Sequence, residues 1–233
     1  MVAPVVEAVS SNFGEAVSTY TVTKPTGTVD LDFLLAIKWL SDDTPNLAGP
    51  TGFTQIGSDF VNTTIGMICQ VWQKFASSDP ASYTVGCGTN DSCSCTILRI
   101  SGHDPTTPLD VTLTTGFSTT GTLSHLAPSV SPAGTDSLLV CSVCRTAVTD
   151  ATASYTWPGG MTEQSDITPP SFDFITTSVA TEILTASGPT GTRTATHTDS
   201  RGYMGISLAI KSGVPTPPEE GPRNSNAMYR MGR

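Results

Sequence analysis

Apolar and polar positions alternate along much of the chain with the two-residue period of a β-strand. The clearest run carries Ile65, Met67, Cys69 and Val71 at every second position. Successive side chains of a strand point to opposite faces, so this run predicts a strand with one better-buried face. Similar runs predict twelve strands, at 18–23, 32–40, 53–60, 64–75, 82–86, 94–101, 124–130, 136–145, 161–165, 174–184, 192–197 and 203–211.

Turn-forming residues separate these runs. Asp-Pro pairs begin at Asp79 and Asp104, and Pro-Gly-Gly occupies 158–160. Proline presets φ and glycine supplies positive φ, so both punctuate strands. Short strands at this spacing, without a convincing amphipathic helix, predict an all-β, two-sheet, jelly-roll-like sandwich.

The sequence also contains an internal repeat. The segments 25–37, 52–59 and 96–100 are echoed in the same order by 132–141, 160–166 and 207–211, each about 110 residues later. In this alignment Cys141 falls opposite Ile37. We therefore expect a duplicated sandwich over 1–211, with repeats of about 1–105 and 106–211 that face each other across one core.

The last segment, 212–233, differs in kind. It contains four prolines, at positions 215, 217, 218 and 222, which predict a stiff, extended arm. The candidate partner-binding residues at its end are Arg223, Met228, Tyr229, Arg230, Met231 and Arg233. We expect this arm to lie on a neighbouring subunit.

Charge and hydropathy narrow the function classes. Only 13% of the residues are charged and the formal net charge is −9. An acidic body disfavours phosphate backbones, so nucleic acid is not an expected partner. No stretch approaches the roughly 20 apolar residues of a membrane span, so no membrane partner is expected. No signal peptide is evident at the N-terminus, which predicts synthesis in a cytoplasm.

Several of these segments together resemble a known family. They are the turn 25–30 with its following apolar run, 52–56, the linking segment 99–110 and 190–196. They resemble duplicated β-sandwich structural proteins of tailed bacteriophages and prophages. The resemblance covers roughly 5–211 and implies a virion protein of the head or tail. It carries no catalytic residues over to this chain.

Six cysteines allow three interpretations. Cys93 with Cys95, and Cys141 with Cys144, could supply a four-thiolate zinc site near Cys87. A disulfide is the second possibility. Plain core packing is the interpretation we favour, because free cysteine behaves as a small, buried hydrophobe.

The remaining residues give little support for a catalytic site or a metal-binding site. His103, His125 and His197 lie in no recognisable catalytic motif, and Asp104 before a proline is typical of a turn initiator. Calcium is conceivable at the acidic cluster of Asp30, Asp32, Asp42, Asp43 and Asn46, but loop acidity is the simpler interpretation. We therefore expect no enzyme activity, no cofactor and no bound metal.

Tryptophans suggest one further surface. Trp39 and Trp72 lie in strongly apolar runs and are expected in or beside the core. Trp157, next to the Pro-Gly-Gly turn, is instead a candidate for an exposed contact with a partner or a glycan.

The functional hypothesis is a bacteriophage capsid decoration or cement protein, a homo-oligomer within the virion that binds the major capsid protein. One alternative is a receptor-binding component of the tail or fibre. Another is a carbohydrate-binding module, since one sandwich fold supports many functions. A hydrolase is the least supported.

Overall fold

A computed structural model describes residues 2–41, 48–88, 91–148, 153–168 and 174–213, without the side chains at 146–148 and 174. Within these ranges the regular structure is entirely β, which confirms the predicted fold class. No described residue belongs to a helix that could cross a membrane. The strands are β1 (Val5–Glu15), β2 (Thr19–Thr23), β3 (Phe33–Leu40), β4 (Thr54–Gln55), β5 (Phe60–Asn62), β6 (Met67–Phe75), β7 (Ser82–Gly86), β8 (Ser92–Ser101), β9 (Leu109–Ala127), β10 (Leu138–Val148), β11 (Tyr155–Thr156), β12 (Thr162–Ile167), β13 (Phe174–Ile183) and β14 (Arg193–Ile210).

Two antiparallel six-stranded sheets repeat one topology. The first has the order β1-β8-β3-β6-β4, with β5 beside β6. The second has the order β9-β14-β10-β13-β12, with β11 beside β14. Strand for strand, β1, β8, β3, β6 and β4 correspond to β9, β14, β10, β13 and β12. The duplication seen in the sequence is therefore a duplication of sheet topology.

The main core lies between the two sheets. Leu35, Ile37 and Trp39 on β3 belong to the same buried cluster as Leu138 and Val140 on β10. Fully burying one such side chain contributes about 1.5–3 kcal/mol. The indole Nε1 of Trp39 donates a hydrogen bond to Ser142 Oγ of the other sheet at 2.9 Å. This bond joins the two halves through the middle of their shared core.

The outer face of the first sheet is covered by a separate ribbon. Strands β2 and β7 pair with each other and place Val22, Tyr83 and Val85 on Leu34 and Ala36 of β3. Every residue of β3 is consequently buried. This explains why β3 reads as a continuous apolar run rather than an alternating one.

The outer face of the second sheet is covered by the bent ends of its own strands. The end of β9 and the start of β14 pair with each other at Ala127 and Arg193, as β2 and β7 do in the first half. The bent end of β9 lies so close that a Cβ at Gly205 would sit 2.2 Å from the carbonyl oxygen of Leu126. Glycine at position 205 makes this close approach possible.

Side-chain faces correct the repeat alignment by one residue. Ile37 faces the inter-sheet core, whereas Ala36 and Cys141 face the outer cores of their halves, so Cys141 corresponds to Ala36 and not to Ile37. A shift of one residue changes the face of a strand. Cys141 therefore lies in the outer core of the second half and outside the inter-sheet core.

The strand predictions were wrong mainly at the sheet edges. Strand β1 and the first fifteen residues of β9 were not predicted, and β14 is one continuous strand where two were expected. The edge strands carry many half-buried or exposed Ser and Thr side chains, so their apolar alternation is weak. Pairing with β8 and β14, distant in sequence, makes them strands.

Candidate functional site

Both halves have a corner where the sheet strands meet their covering layer. In the first half the chain is interrupted there, between β1 and β2 and between β7 and β8. In the second half β9 and β14 run through the bend. Strand pairing gives five pairs of equivalent positions at these corners. The first corner consists of Tyr20, Leu40, Ile68, Cys87 and Cys93. The second corner consists, in the same order, of His125, Arg145, Thr176, His197 and Tyr203.

The first corner is apolar and covalently closed. Leu40 and Ile68 pack with Cys87 and Cys93 in one buried cluster, against which Tyr20 is half-buried. Cys87 and Cys93 form a disulfide with Cα atoms 6.0 Å apart. For this pair the disulfide interpretation is confirmed, in place of plain core packing.

The second corner contains a fully buried arginine. The Arg145 side chain is 0% exposed, and its guanidinium forms an ion pair with the Asp199 carboxylate at 2.9 Å. Asp199 itself is 37% exposed. Among the described residues, the Nε and Nη2 groups of Arg145 are buried without a hydrogen-bond partner. A buried charge is expensive for a fold, and the equivalent Leu40 shows that this fold does not require it.

Two histidines stack beside this arginine. The ring of His125 lies 4.5 Å from that of Tyr203 and 5.6 Å from that of His197, nearly parallel to both. His125 Nε2 lies 2.9 Å from the Thr122 carbonyl oxygen, which can only accept, so Nε2 carries the proton. His125 Nδ1 then accepts from the Tyr155 hydroxyl at 2.9 Å. His125 is thus held in its neutral form.

The second histidine is held neutral in a similar way. His197 Nδ1 accepts the Asp199 backbone N–H at 2.9 Å, so its proton is on Nε2, which is buried without a partner. Burial, together with the nearby Arg145 guanidinium, lowers the pKa of both His125 and His197 to about 4. A proton added at His197 Nδ1 would point at the Asp199 amide hydrogen. The second corner is therefore sensitive to acid.

One buried carboxyl lies at the edge of this corner. Asp166 Oδ2 accepts the Tyr155 backbone N–H at 2.7 Å, while its Oδ1 is buried without a hydrogen-bond partner. Burial raises the pKa of Asp166 to about 6. The sequence analysis did not single out Arg145, Tyr155, Asp166 or Asp199. The only sequence signal was a charged residue within the apolar run of β10.

Strand β9 forms a long edge of the second sheet. Within the described residues it pairs with β14 along one side only. The side chains of Phe117, Leu123 and Leu126 are 56%, 47% and 39% exposed. The only Asp, Glu, Lys or Arg in these 19 residues is Asp110, next to the start of the strand. The edge is thus long, apolar in places and almost uncharged.

An open cleft lies at the C-terminal end of β6, in the first half of the molecule. Its volume is about 400 Å³, and Phe33, Gln73, Lys74, Phe75 and Thr106 are among its lining residues. The rings of Phe33 and Phe75 lie 5.7 Å apart. His103 packs against both rings, at 5.5 and 5.6 Å, as a structural histidine.

Trp157 lies away from this cleft. It is half-buried against the outer core of the second half. Its Nε1 donates to Ser178 Oγ at 2.8 Å, so the polar atom of the indole is already used within the protein. The predicted arm residues Arg223, Met228, Tyr229, Arg230, Met231 and Arg233 lie outside the described residues.

The described members of the acidic cluster expected in the loops make separate local contacts. Asp32 accepts the Val29 N–H at 2.8 Å and pairs with Arg99 at 3.0 Å. Asp30 accepts the Ser78 N–H at 2.8 Å. The other members, Asp42, Asp43 and Asn46, lie outside the described residues. Asp104 accepts the N–H groups of the two threonines after Pro105, which confirms its role as a turn initiator.

The four remaining cysteines are buried thiols. Burial raises the pKa of Cys95 and of Cys141 to about 12, and those of Cys69 and Cys144 well above the usual range. Cys141 lies in the outer core and Cys144 in the inter-sheet core, on opposite faces of β10. The proposed four-thiolate zinc site is therefore wrong. Among the described side chains, no group of three or more His, Cys, Asp or Glu is arranged to hold a metal ion.

No protein-family model, curated protein or solved structure matches this chain. The resemblance to phage structural proteins therefore depends on the sequence segments named above, and its functional content belongs to a proposal.

Proposed function

We propose that this protein is a bacteriophage virion structural protein, most consistent with a capsid decoration or cement protein that binds the head surface. The observation that carries the proposal is the open edge of β9. The part of β9 that flanks the second sheet carries the exposed side chain of Phe117 and offers its backbone groups and this side chain to another chain.

Proteins usually protect such edges against unwanted pairing. Charged side chains, proline, bulges or short strands are the common devices. The equivalent edge strand of the first half, β1, carries Glu7 and Glu15. Strand β9 has no proline and no Asp, Glu, Lys or Arg after Asp110, and its pairing with β14 contains four register shifts. An edge that carries charged residues in one half and almost none in the other favours a docking function for the second.

The remaining support comes from the sequence. Resemblance to phage structural proteins supplies the class of assembly, and the proline-rich segment 212–233 supplies a second means of reaching a neighbouring subunit. In this proposal the major capsid protein is the partner, and copies of the chain are arranged on the capsid lattice.

Electron cryomicroscopy of native particles from the phage that encodes the chain tests the assignment. Density on the capsid lattice, with β9 against a neighbouring subunit, is the expected result. Density at the tail tip would replace decoration with the receptor-binding alternative. Absence of the chain from the particle would overturn the virion proposal.

A matched pair of variants tests the edge itself. Phe117→Lys places a charge on the open edge, whereas Val29→Lys changes a comparably exposed residue in the loop before β3. We expect Phe117→Lys to reduce incorporation into particles at unchanged thermal stability, and Val29→Lys to leave incorporation unchanged. Equal incorporation of both variants would show that β9 is not the docking edge.

The cleft beside Phe75 favours a second candidate, a carbohydrate-binding module. An exposed aromatic ring next to Gln73 and Lys74 combines a stacking surface with hydrogen-bond donors. A glycan array with the wild type and Phe75→Ala tests it. Binding that is lost in Phe75→Ala would support this candidate, and no binding to any glycan would remove it.

A further inference from the structure

Three polar or nucleophilic side chains form a row across the outer face of the first sheet. Cys95 on β8, Lys38 on β3 and Gln70 on β6 are direct cross-strand neighbours. Lys38 is 0% exposed and Gln70 is 2% exposed. A buried lysine is rare, because burial removes the hydration of its ammonium group.

The side-chain amide of Gln70 is held between an amine and a carboxylate. Lys38 Nζ donates to Gln70 Oε1 at 3.0 Å and to the Ala48 carbonyl oxygen at 3.1 Å. Gln70 Nε2 donates to Asp59 Oδ1 at 2.9 Å. Gln55 Nε2 donates to the same Asp59 oxygen at 2.6 Å. The amine is thus adjacent to the carbonyl group, and the carboxylate is adjacent to the amide nitrogen.

The surroundings favour a reactive amine. Burial lowers the pKa of Lys38 to about 8, against the opposing effects of Cys95 and Asp59. A substantial share of the amine is therefore neutral in mildly alkaline solution, and only the neutral amine is a nucleophile. Asp59 is only half-buried and can exchange protons with solvent.

The second half lacks this row. The equivalent positions of the second half hold Val143 in place of Lys38, Ser178 in place of Gln70 and Gly205 in place of Cys95. The same sheet topology therefore folds without the lysine, the amide or the thiol. Their presence in the first half is not a requirement of the fold.

We propose that Lys38 and Gln70 react to form an intramolecular amide bond between β3 and β6. The lone pair of Lys38 Nζ attacks Gln70 Cδ and a C–N bond forms. The bond from Cδ to Nε2 breaks, and Asp59 relays the proton lost from Nζ to the departing nitrogen, which leaves as ammonia. No oxidant, metal or cofactor is needed, because one amide replaces another.

The bond would join the two central strands of the first sheet covalently. Water is excluded from Lys38 and Gln70, so hydrolysis does not compete with the amine. The cross-link is independent of which partner the protein binds, and its test does not depend on the proposed virion function.

Intact-mass spectrometry of the reduced full-length protein tests the bond. Reduction removes the mass difference due to the disulfide. We expect a mass lower than that of the sequence by one ammonia, either on purification or after incubation at alkaline pH. Trypsin is then expected to leave Lys38 uncleaved, since an acylated lysine is not a substrate. The full sequence mass under both conditions would overturn the proposal.

Variants assign the reaction to these side chains. Lys38→Met keeps the apolar stem and is expected to retain the full mass, whereas Lys24→Met, just after β2, is expected to lose ammonia as the wild type does. Asp59→Asn removes the proton relay and should slow the loss by about 100-fold. Loss of ammonia in Lys38→Met would place the reaction elsewhere and overturn the assignment.

Discussion

The two halves of the molecule bend at equivalent corners but pack them with opposite kinds of side chain. In the first corner Leu40 and Ile68 surround the disulfide between Cys87 and Cys93. In the second, the place of Leu40 is taken by Arg145, which forms an ion pair with the half-exposed Asp199. The order of the sheet strands is the same in both halves, so the corners differ in their side chains and in the continuity of β9 and β14 through the bend.

This comparison separates what the fold needs from what a particular half has acquired. The first corner shows that apolar contacts and a short covalent loop are sufficient to close the bend. The second corner keeps unsatisfied buried donors on Arg145 and His197, which weaken a fold. Polar groups that are not required for folding are the better candidates for a role in function or regulation.

The largest loss of stability is expected when Leu40 of the first corner is replaced by arginine, the residue at the equivalent position of the second corner. Leu40→Arg would bury a guanidinium among the apolar side chains of the first corner. We expect a loss of more than about 4 kcal/mol in the free energy of unfolding. Denaturant unfolding measures it, with Leu40→Met as a control that should cost less than about 1.5 kcal/mol. A folded Leu40→Arg protein of near-normal stability would show that the corners are interchangeable.

Acid is expected to act mainly on the second corner, which holds two of the three histidines. The pKa of both His125 and His197 is lowered to about 4, so the unfolded chain binds more protons than the folded one as the pH falls from about 6.5. Stability therefore falls between pH 6.5 and 4. Asp166, whose pKa is raised to about 6, opposes part of this loss. The net loss is on the order of 3 kcal/mol.

Nuclear magnetic resonance gives a direct check on the acid response. The ring protons of His125 and His197 should not titrate above about pH 5, because their neutral forms are favoured by burial. Urea unfolding at a series of pH values measures the accompanying loss of stability. Titration of both rings near pH 6.5 would contradict the neutral, buried assignment.

Removing the disulfide tests the first corner. Six positions separate Cys87 from Cys93, so the closed loop is short. Replacing both residues with alanine should reduce the free energy of unfolding by about 2 kcal/mol. The matched control is Cys141→Ala, which removes a buried free thiol from the second half. Reduction should destabilise the wild type and Cys141→Ala by about the same amount and leave the double variant unchanged.

The smallest effect is expected from the reverse exchange. Arg145→Leu replaces a buried ion pair with the residue of the first corner and leaves Asp199 partly exposed to water. We expect a change of less than about 1 kcal/mol in either direction, because the lost ion pair is offset by the removed desolvation cost. A loss above about 3 kcal/mol would show that Arg145 organises the second corner.

Sequence patterning was informative where one face of a strand is buried by a neighbour. The positions around Ile65, Met67 and Val71 alternate and lead into β6, while β7 was predicted with its observed bounds. The edge strands β1 and β9 were missed because their Ser and Thr side chains are half-exposed on both faces. Their strand state depends on hydrogen bonds to distant partners, which no local pattern records.

The second corner could not be recognised from the sequence for a related reason. His125 and His197 are far apart in the sequence, and each by itself looks like an ordinary structural histidine. Arg145 lies at a position that the apolar period of β10 marks as buried, and that conflict was the one available signal. Contact among these three residues arises only where the bent ends of β9 and β14 cover the second sheet.

The sequence by itself determined the all-β class and the duplication, because strand period, turn residues and repeats are properties of neighbouring positions. The tertiary structure alone decided which cysteines join, which face Cys141 takes, and which polar groups meet in the second corner and around Lys38. Those outcomes depend on strand register and sheet packing. A change of register by one residue exchanges the two faces of a strand, and that choice is made by contacts between segments far apart in the chain.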